Sequence, residues 1–219
     1  MSNIKENIEQ IRQQLAHSQV KIIAVTKYYG VDRLIEAYDV GLRDFGENKV
    51  LDAINKIESL PQNIKNNSTF HLIGHLQSNK VKKAVKYFDL IHSIDSLKLA
   101  QKIDVEAKAI NKCQKILLQV NYAKEESKTG FSVEGLFEAY PEIRKLKNVK
   151  IEGLMTMAPK CMSENELYAL FDGVKKLKFE LNSKYEDSIE ELSMGMSQDY
   201  LEAVKCGSTI IRLGKKIFD

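Results

Sequence analysis

The sequence predicts a closed (β/α)8 barrel, and three observations carry that expectation. Eight short apolar runs follow one another along 219 residues, a helical pattern separates each from the next, and no Gly-x-Gly-x-x-Gly turn follows the first run. Regular strand–helix alternation implies parallel strands, and eight such units favour closure over an open doubly wound sheet. An open sheet would also be expected to carry a glycine-rich turn where Thr26-Lys27-Tyr28-Tyr29 stands.

The elements read off in order. Ile4, Ile8, Ile11 and Leu15 share one face of an extra N-terminal helix. The strand Val20–Val25 is too short and too β-branched for a helix, and helical patterning returns at Val31, Leu34, Ile35 and Tyr38. Leu42–Phe45 is the second strand, followed by a helix with Val50, Leu51, Ile54 and Ile57 inward. Phe70–Ile73 and Leu90–His92 are the third and fourth strands, separated by a helix over Gln77–Tyr87. Leu97, Ala100, Ile103, Ala107 and Ile110 line the next helix, and Ile116–Val120 is the fifth strand. Val133–Leu146 is helical but holds Pro141, which predicts two pieces or a kink. Val149–Leu154 is the sixth strand. Ser163 and Glu166 then form a capping box that opens a long helix. Ile189–Leu192 and Thr209–Leu213 are the last two strands, flanking a short helix near Asp199–Val204.

Composition bounds the function. A chain this long buries roughly 70% of its unfolded surface as one domain, so it needs neither metal nor disulfide to hold a core. We expect a single domain over residues 1–219. The formal charge of +3 is too small, and its lysines too evenly spread, for a nucleic-acid surface. Three cysteines without a Cys-x-x-Cys spacing argue against a disulfide framework or zinc site and fit a reducing, cytoplasmic setting. The N-terminus lacks an apolar secretory core, and no apolar run is long enough to span a bilayer.

Chemistry concentrates in the tail. Ser193-Met194-Gly195-Met196-Ser197, Gly207-Ser208-Thr209 and Arg212-Leu213-Gly214 read as small-residue turns whose backbone N–H groups can converge on a phosphate. Barrels bind phosphate after the seventh and eighth strands, which is where these segments are expected, with the short Asp199–Val204 helix adding its N-terminus. Lys27 ends the first strand and is expected at the barrel mouth, where burial or the cations Lys128 and Arg212 would activate it as a nucleophile. His71 and His75 have the spacing of helical metal ligands, but a strand and an intervening glycine argue against metal. No serine or cysteine sits in an elbow motif.

Several of these segments together resemble the YggS/PROSC family of pyridoxal-phosphate homeostasis proteins. The matching pieces are Ile23-Ala24-Val25-Thr26-Lys27, Asp44-Phe45-Gly46-Glu47-Asn48 and the run His71–Lys80, followed by Lys128-Thr129-Gly130-Phe131, Gly153–Pro159, Ser193–Asp199 and Gly207–Gly214. They run in order from near residue 20 to the C-terminus. The resemblance implies a TIM barrel like the N-terminal domain of alanine racemase, with pyridoxal 5′-phosphate bound as a Schiff base to Lys27. It implies that Ser197, Gly207, Ser208 and Thr209 hold the phosphate and that Arg212 faces the pyridine nitrogen. Asn48, His75, Met194 and Lys128 carry over as ring-side or mouth residues.

An arginine only donates, so it keeps the pyridine nitrogen unprotonated and the ring a poorer electron sink. Alanine racemase adds a second domain and a partner subunit, whereas five residues follow Gly214 in this sequence. The resemblance therefore implies a carrier that binds, buffers and delivers the cofactor, with apo-enzymes as candidate recipients, without catalytic turnover and as a monomer. An amino-acid racemase using Lys27 and an unseen base stays open as the alternative, and so does a phosphosugar enzyme on the same barrel.

Overall fold

The computed structural model describes residues 3–16, 18–125 and 128–219, and in it eight parallel strands close into a barrel in sequence order. They are β1 (Lys21–Val25), β2 (Asp44–Glu47), β3 (Thr69–Leu72), β4 (Leu90–Ile94), β5 (Gln114–Gln119), β6 (Val149–Met155), β7 (Glu191–Met196) and β8 (Ile210–Leu213). The ring closes because β1 pairs on one side with β2, Ile23 opposite Asp44, and on the other with β8, Lys21 opposite Ile210. Outside lie α1 (Ile4–Leu15), α2 (Val31–Asp39), α3 (Val50–Ser59), α4 (Gln62–Asn66), α5 (Val81–Tyr87) and α6 (Leu97–Ala109). The outer layer continues with α7 (Val133–Ile143), α8 (Glu164–Tyr185), α9 (Tyr200–Lys205) and α10 (Lys215–Phe218).

Alternation along each strand creates two cores. Side chains such as Ala24, Phe45, Leu72, Ile91 and Leu118 face outward and pack under the helices. Ile23, Val25, Leu90, Leu117, Met155 and Ile210 face inward and fill part of the lumen. The rest of the lumen is polar, since His71, His92, Ser193 and Arg212 are all buried on inward positions.

The capping box forms as the sequence predicts. Ser163 Oγ accepts from Glu166 N, and the Glu166 carboxylate accepts from Ser163 N at 2.7 Å. Of the two outcomes predicted at Pro141, separate pieces do not occur, because α7 runs through it as one helix. Pro141 has no N–H to offer the Phe137 carbonyl four residues back, and the Tyr185 hydroxyl donates to that carbonyl instead, at 3.1 Å.

The seventh strand also departs from expectation. It spans Glu191–Met196, so Ser193-Met194-Gly195-Met196 is strand and not turn. Polar Ser193 ended the apolar run in the sequence, yet it points into the polar half of the lumen. Pairing between β7 and β8 shifts register between Ser193 and Met196. Gly195 sits in that irregularity at φ +96°, and a Cβ on it would lie 2.7 Å from Ala203 Cβ. Such a bulge re-aims the residues after it, and here Met196 and Ser197 turn to the barrel mouth.

Candidate functional site

Every strand of a parallel barrel points its C-terminal end to the same face. At that face a pocket of 530 Å³ opens, lined by Lys27 after β1, Asn48 after β2, Gly74 and His75 after β3, and Gln119 at the end of β5. Met157 and Lys160 follow β6, Met196 and Ser197 complete the β7 side, and Arg212, Gly214 and Lys215 belong to β8 and its exit. The volume lies in the range of small-molecule and cofactor sites.

Arg212 is the floor of the pocket. Its side chain is 4% exposed. One terminal nitrogen donates to Ser193 O at 2.8 Å and to Ser193 Oγ at 2.6 Å, and the other donates to Thr156 O at 2.9 Å. Burial pushes its pKa down to about 10, with the nearby Asp199 carboxylate acting the other way. It is still a cation at neutral pH and, as a guanidinium, can only donate to whatever lies above it.

Lys27 stands at the rim and is exposed, so the burial that the sequence suggested as its activator is absent. The backbone beneath it is clamped. Thr26 Oγ1 donates to Glu47 Oε1 at 2.6 Å, and Lys56 Nζ donates at 2.6 Å both to Glu47 Oε1 and to Thr26 O. Glu47 and Lys56 form an ion pair with side chains 4% and 12% exposed. Sequence reading passed over this clamp because Lys56 sits on a helix face where a solvated lysine is the default.

Asn48 is brought to the pocket by Gly74. A Cβ at residue 74 would meet Asn48 O at 2.3 Å, so only glycine lets the loops after β2 and β3 approach this closely. His75 Nδ1 lies 3.3 Å from Asp95 Oδ2 at the rim, while His71 points into the lumen toward Asp44 and His92. The two histidines therefore do not meet, and among the described residues no group of three or more His, Cys, Asp or Glu is placed to hold a metal. Lys128 sits just outside the pocket, 3.9 Å from Glu125, and its neighbour Thr129 lines the pocket, held by Gln119 Nε2 at 2.6 Å from Thr129 O.

Four predicted contacts need correction. Gly207, Ser208 and Thr209 precede β8, so they lie at the opposite end of the barrel from the mouth. They stop α9: Gly207 N donates to Val204 O and Ser208 N to Ala203 O, which is a Schellman cap with Gly207 at φ +88°. Ser208 Oγ donates to the Met194 carbonyl at 2.7 Å, and Thr209 N and Oγ1 bond within the β7–β8 ladder. None of these is available to a ligand at the mouth. Met194 is the fourth: it is 1% exposed and faces outward in the helix-side core, the result of strand alternation.

The mouth instead offers a cradle from two turns that follow strands. One is Ser197-Gln198-Asp199 and the other Gly214-Lys215, and they touch where Lys216 N donates to Ser197 Oγ at 3.3 Å. Asp199 braces the first turn, its Oδ1 accepting from Met196 N at 2.5 Å, and burial raises its pKa. Lys160 and Lys215 supply positive charge at the rim. Tyr29 also lines the pocket. Its hydroxyl donates to Asp219 at 2.5 Å, and burial together with that carboxylate pushes its pKa up to about 12.

A phosphate cradle, an amine at the rim and a donor-only cation at the floor fit the donor set of pyridoxal 5′-phosphate. Residues 1–218 match the model of the alanine racemase N-terminal domain. A pyridoxal phosphate homeostasis protein of Synechocystis is 42% identical over 199 residues, covering 91% of this chain and 90% of its own. The chain belongs to the pyridoxal phosphate homeostasis protein family. Another member of this family, from Helicobacter pylori, is 37% identical over 92% of the chain and 88% of its own length. Among solved structures, PipY of Synechococcus elongatus superposes with a TM-score of 0.94 without pyridoxal phosphate and 0.90 with it bound. Its identity to this homeostasis-family chain is 39% and 38% in the two structures, covering 99% of this chain and 100% of PipY. Alanine racemase of Clostridium difficile shares the fold at TM-score 0.82 and 15% identity, with this chain spanning 56% of it.

Proposed function

We propose that the protein is a single-domain, monomeric carrier of pyridoxal 5′-phosphate, working in a reducing cytosol to hold and hand over the cofactor without turning over a substrate. One observation carries the reading: a buried guanidinium that can only donate lies on the floor of a pocket whose rim carries the Lys27 amine. Homologues are named for pyridoxal phosphate homeostasis, and one relative binds the cofactor in its solved structure. When bound, the cofactor supplies an aldehyde that condenses reversibly with the Lys27 amine and releases water.

The chain's own residues divide the remaining work. The Ser197 and Gly214 turns hold the phosphate, assisted by Lys160 and Lys215. Arg212, fixed by Ser193 and Thr156, donates to the ring nitrogen and keeps it unprotonated, which weakens the electron-sink chemistry that catalysis on amino acids requires. Asn48 and His75 flank the ring, and Lys128 lies at the mouth. Two titratable groups at the rim are already engaged, His75 with Asp95 and Tyr29 with Asp219, and this supports holding over proton transfer.

The test is spectroscopic. Purified protein loaded with cofactor is expected to show an imine absorbance band and to be trapped at Lys27 by borohydride, and Lys27→Ala should lose both. Transfer to an apo-enzyme is expected to outpace release into buffer. An unchanged band in the Lys27 variant overturns the attachment, and racemisation of L-amino acids faster than free cofactor achieves overturns the carrier reading.

A further inference from the structure

The polar half of the lumen is a single chain of hydrogen bonds whose two histidines the carrier function above does not use. It starts at Arg212 on the pocket floor. Arg212 donates to Ser193 Oγ at 2.6 Å, Ser193 Oγ lies 2.9 Å from His92 Nδ1, His92 Nε2 lies 3.1 Å from His71 Nδ1, and His71 Nε2 lies 3.0 Å from Asp44 Oδ1. Asp44 begins β2 at the opposite end of the barrel, where it borders a groove with Arg12, Lys21 and Arg43. His71, His92 and Ser193 are at most 1% exposed.

The two ends fix the direction of every link. A guanidinium has only donors and a carboxylate only acceptors. Ser193 Oγ accepts from Arg212, which leaves its own proton for His92 Nδ1. An accepting Nδ1 puts the His92 proton on Nε2, which then donates to His71 Nδ1. His71 in turn carries its proton on Nε2 and gives it to Asp44. If His71 were protonated on both nitrogens the chain would run backwards, and Ser193 would face two donors with no acceptor for its own proton among these five groups. A string of bonds polarised the same way is stronger than the same bonds taken singly.

We propose that Ser193, His92 and His71 are positioning residues that aim Arg212 at the ring nitrogen and connect its charge, through four aligned hydrogen bonds, to Asp44 at the far end of the barrel. The aiming role rests on the cofactor reading above; the direction of the chain does not. Removing the Ser193 hydroxyl leaves Arg212 with the Ser193 and Thr156 carbonyls and the more distant Asp199 as its partners, and removing His92 takes away the acceptor that orients that hydroxyl toward Arg212.

Two measurements test it. In the unmodified protein without cofactor, ¹⁵N spectra of the histidine rings at neutral pH are expected to show His71 and His92 both neutral with the proton on Nε2. A proton on Nδ1 of either ring overturns the chain. Next, binding of pyridoxal 5′-phosphate is compared with that of its 1-deaza analogue, whose ring nitrogen is replaced by C–H, in His92→Phe and Ser193→Ala. Loss of one well-placed buried link is expected to weaken the cofactor about tenfold and leave the analogue unchanged. His92→Gln, which keeps a donor and an acceptor, should recover part of that loss. Equal weakening of both compounds overturns the aiming role and marks the histidine as purely structural. If the unmodified protein binds neither compound, the cofactor reading and the aiming role fall together, while the ring spectra still decide the direction of the chain.

Discussion

His92 lies wholly inside the barrel, and its stability consequence follows from where its proton can go. Burial holds its pKa well below the ordinary 6.5; the charges of Arg212 and Lys21 act in the same direction, and so would a second proton on His71. Unfolding returns the ring to water, where it takes up a proton near pH 6.5. Below that pH the unfolded state binds the extra proton and the folded state does not. The stabilisation is therefore complete above 6.5 and declines as the pH falls toward the depressed folded value, by at most about 1.4 kcal/mol per pH unit. Between about pH 7.5 and pH 5.5 the ring alone removes at most about 1.4 kcal/mol of stability. Urea unfolding at both pH values should show the unmodified protein losing more than His92→Gln, by up to about that amount. Equal losses would mean that the ring is charged inside the barrel.

Elements explain which site residues the sequence revealed and which it hid. Lys27 and Arg212 were legible because each belongs to or directly follows an apolar run, and a strand's end fixes the face on which its next residue emerges. Gly207-Ser208-Thr209 was misread because a Gly-Ser pair looks the same before a strand as after one. Only chain direction separates the two cases, and the order of α9 and β8 places these residues at the closed end. The lumen chain was not legible at all, since His92 and Ser193 are 101 residues apart and meet only when the barrel closes. The corrected role of Gly207 has its own consequence. An L-residue at φ +88° in the Schellman cap of α9 is strained, so Gly207→Ala should cost about 1 kcal/mol and lower the melting temperature. Cofactor affinity should stay within about twofold of the unmodified protein, a difference of about 0.4 kcal/mol. Ser197→Ala, at the proposed cradle, should reverse the pattern, with affinity reduced and the melting temperature little changed. Weaker binding in the Gly207 variant would restore that glycine to the ligand site.

At the scale of the whole molecule, the barrel has a seam where β8 meets β1, and the loop that carries Lys27 lies across it. The extra helix α1 and the short α10 seal this seam together. Asn7 Nδ2 donates to Ile217 O at 2.9 Å, and Ile4, Ile8, Ile11 and Leu15 of α1 are buried in the helix-side core. On the other side of α10, Tyr29 packs on Phe218 with ring centroids 4.4 Å apart, and Arg33 donates to Phe218 O at 3.0 Å. Phe218 is 3% exposed and is thus held between the N-terminal helix and the loop after Lys27. Gly214, one of the two cradle turns, opens α10. Loosening Phe218 should therefore reach the amine at the rim and the phosphate cradle at once, although Phe218 lines no part of the pocket. Phe218→Ala leaves a cavity worth about 3–5 kcal/mol of stability. Local opening follows local packing, so amide hydrogen exchange should accelerate together at residues 26–30 and 214–219 while β4–β6, across the barrel, keep their protection. Cofactor affinity should fall in the same variant. Faster exchange confined to 214–219, or spread evenly around the ring, would show that the seam does not couple the two halves of the site.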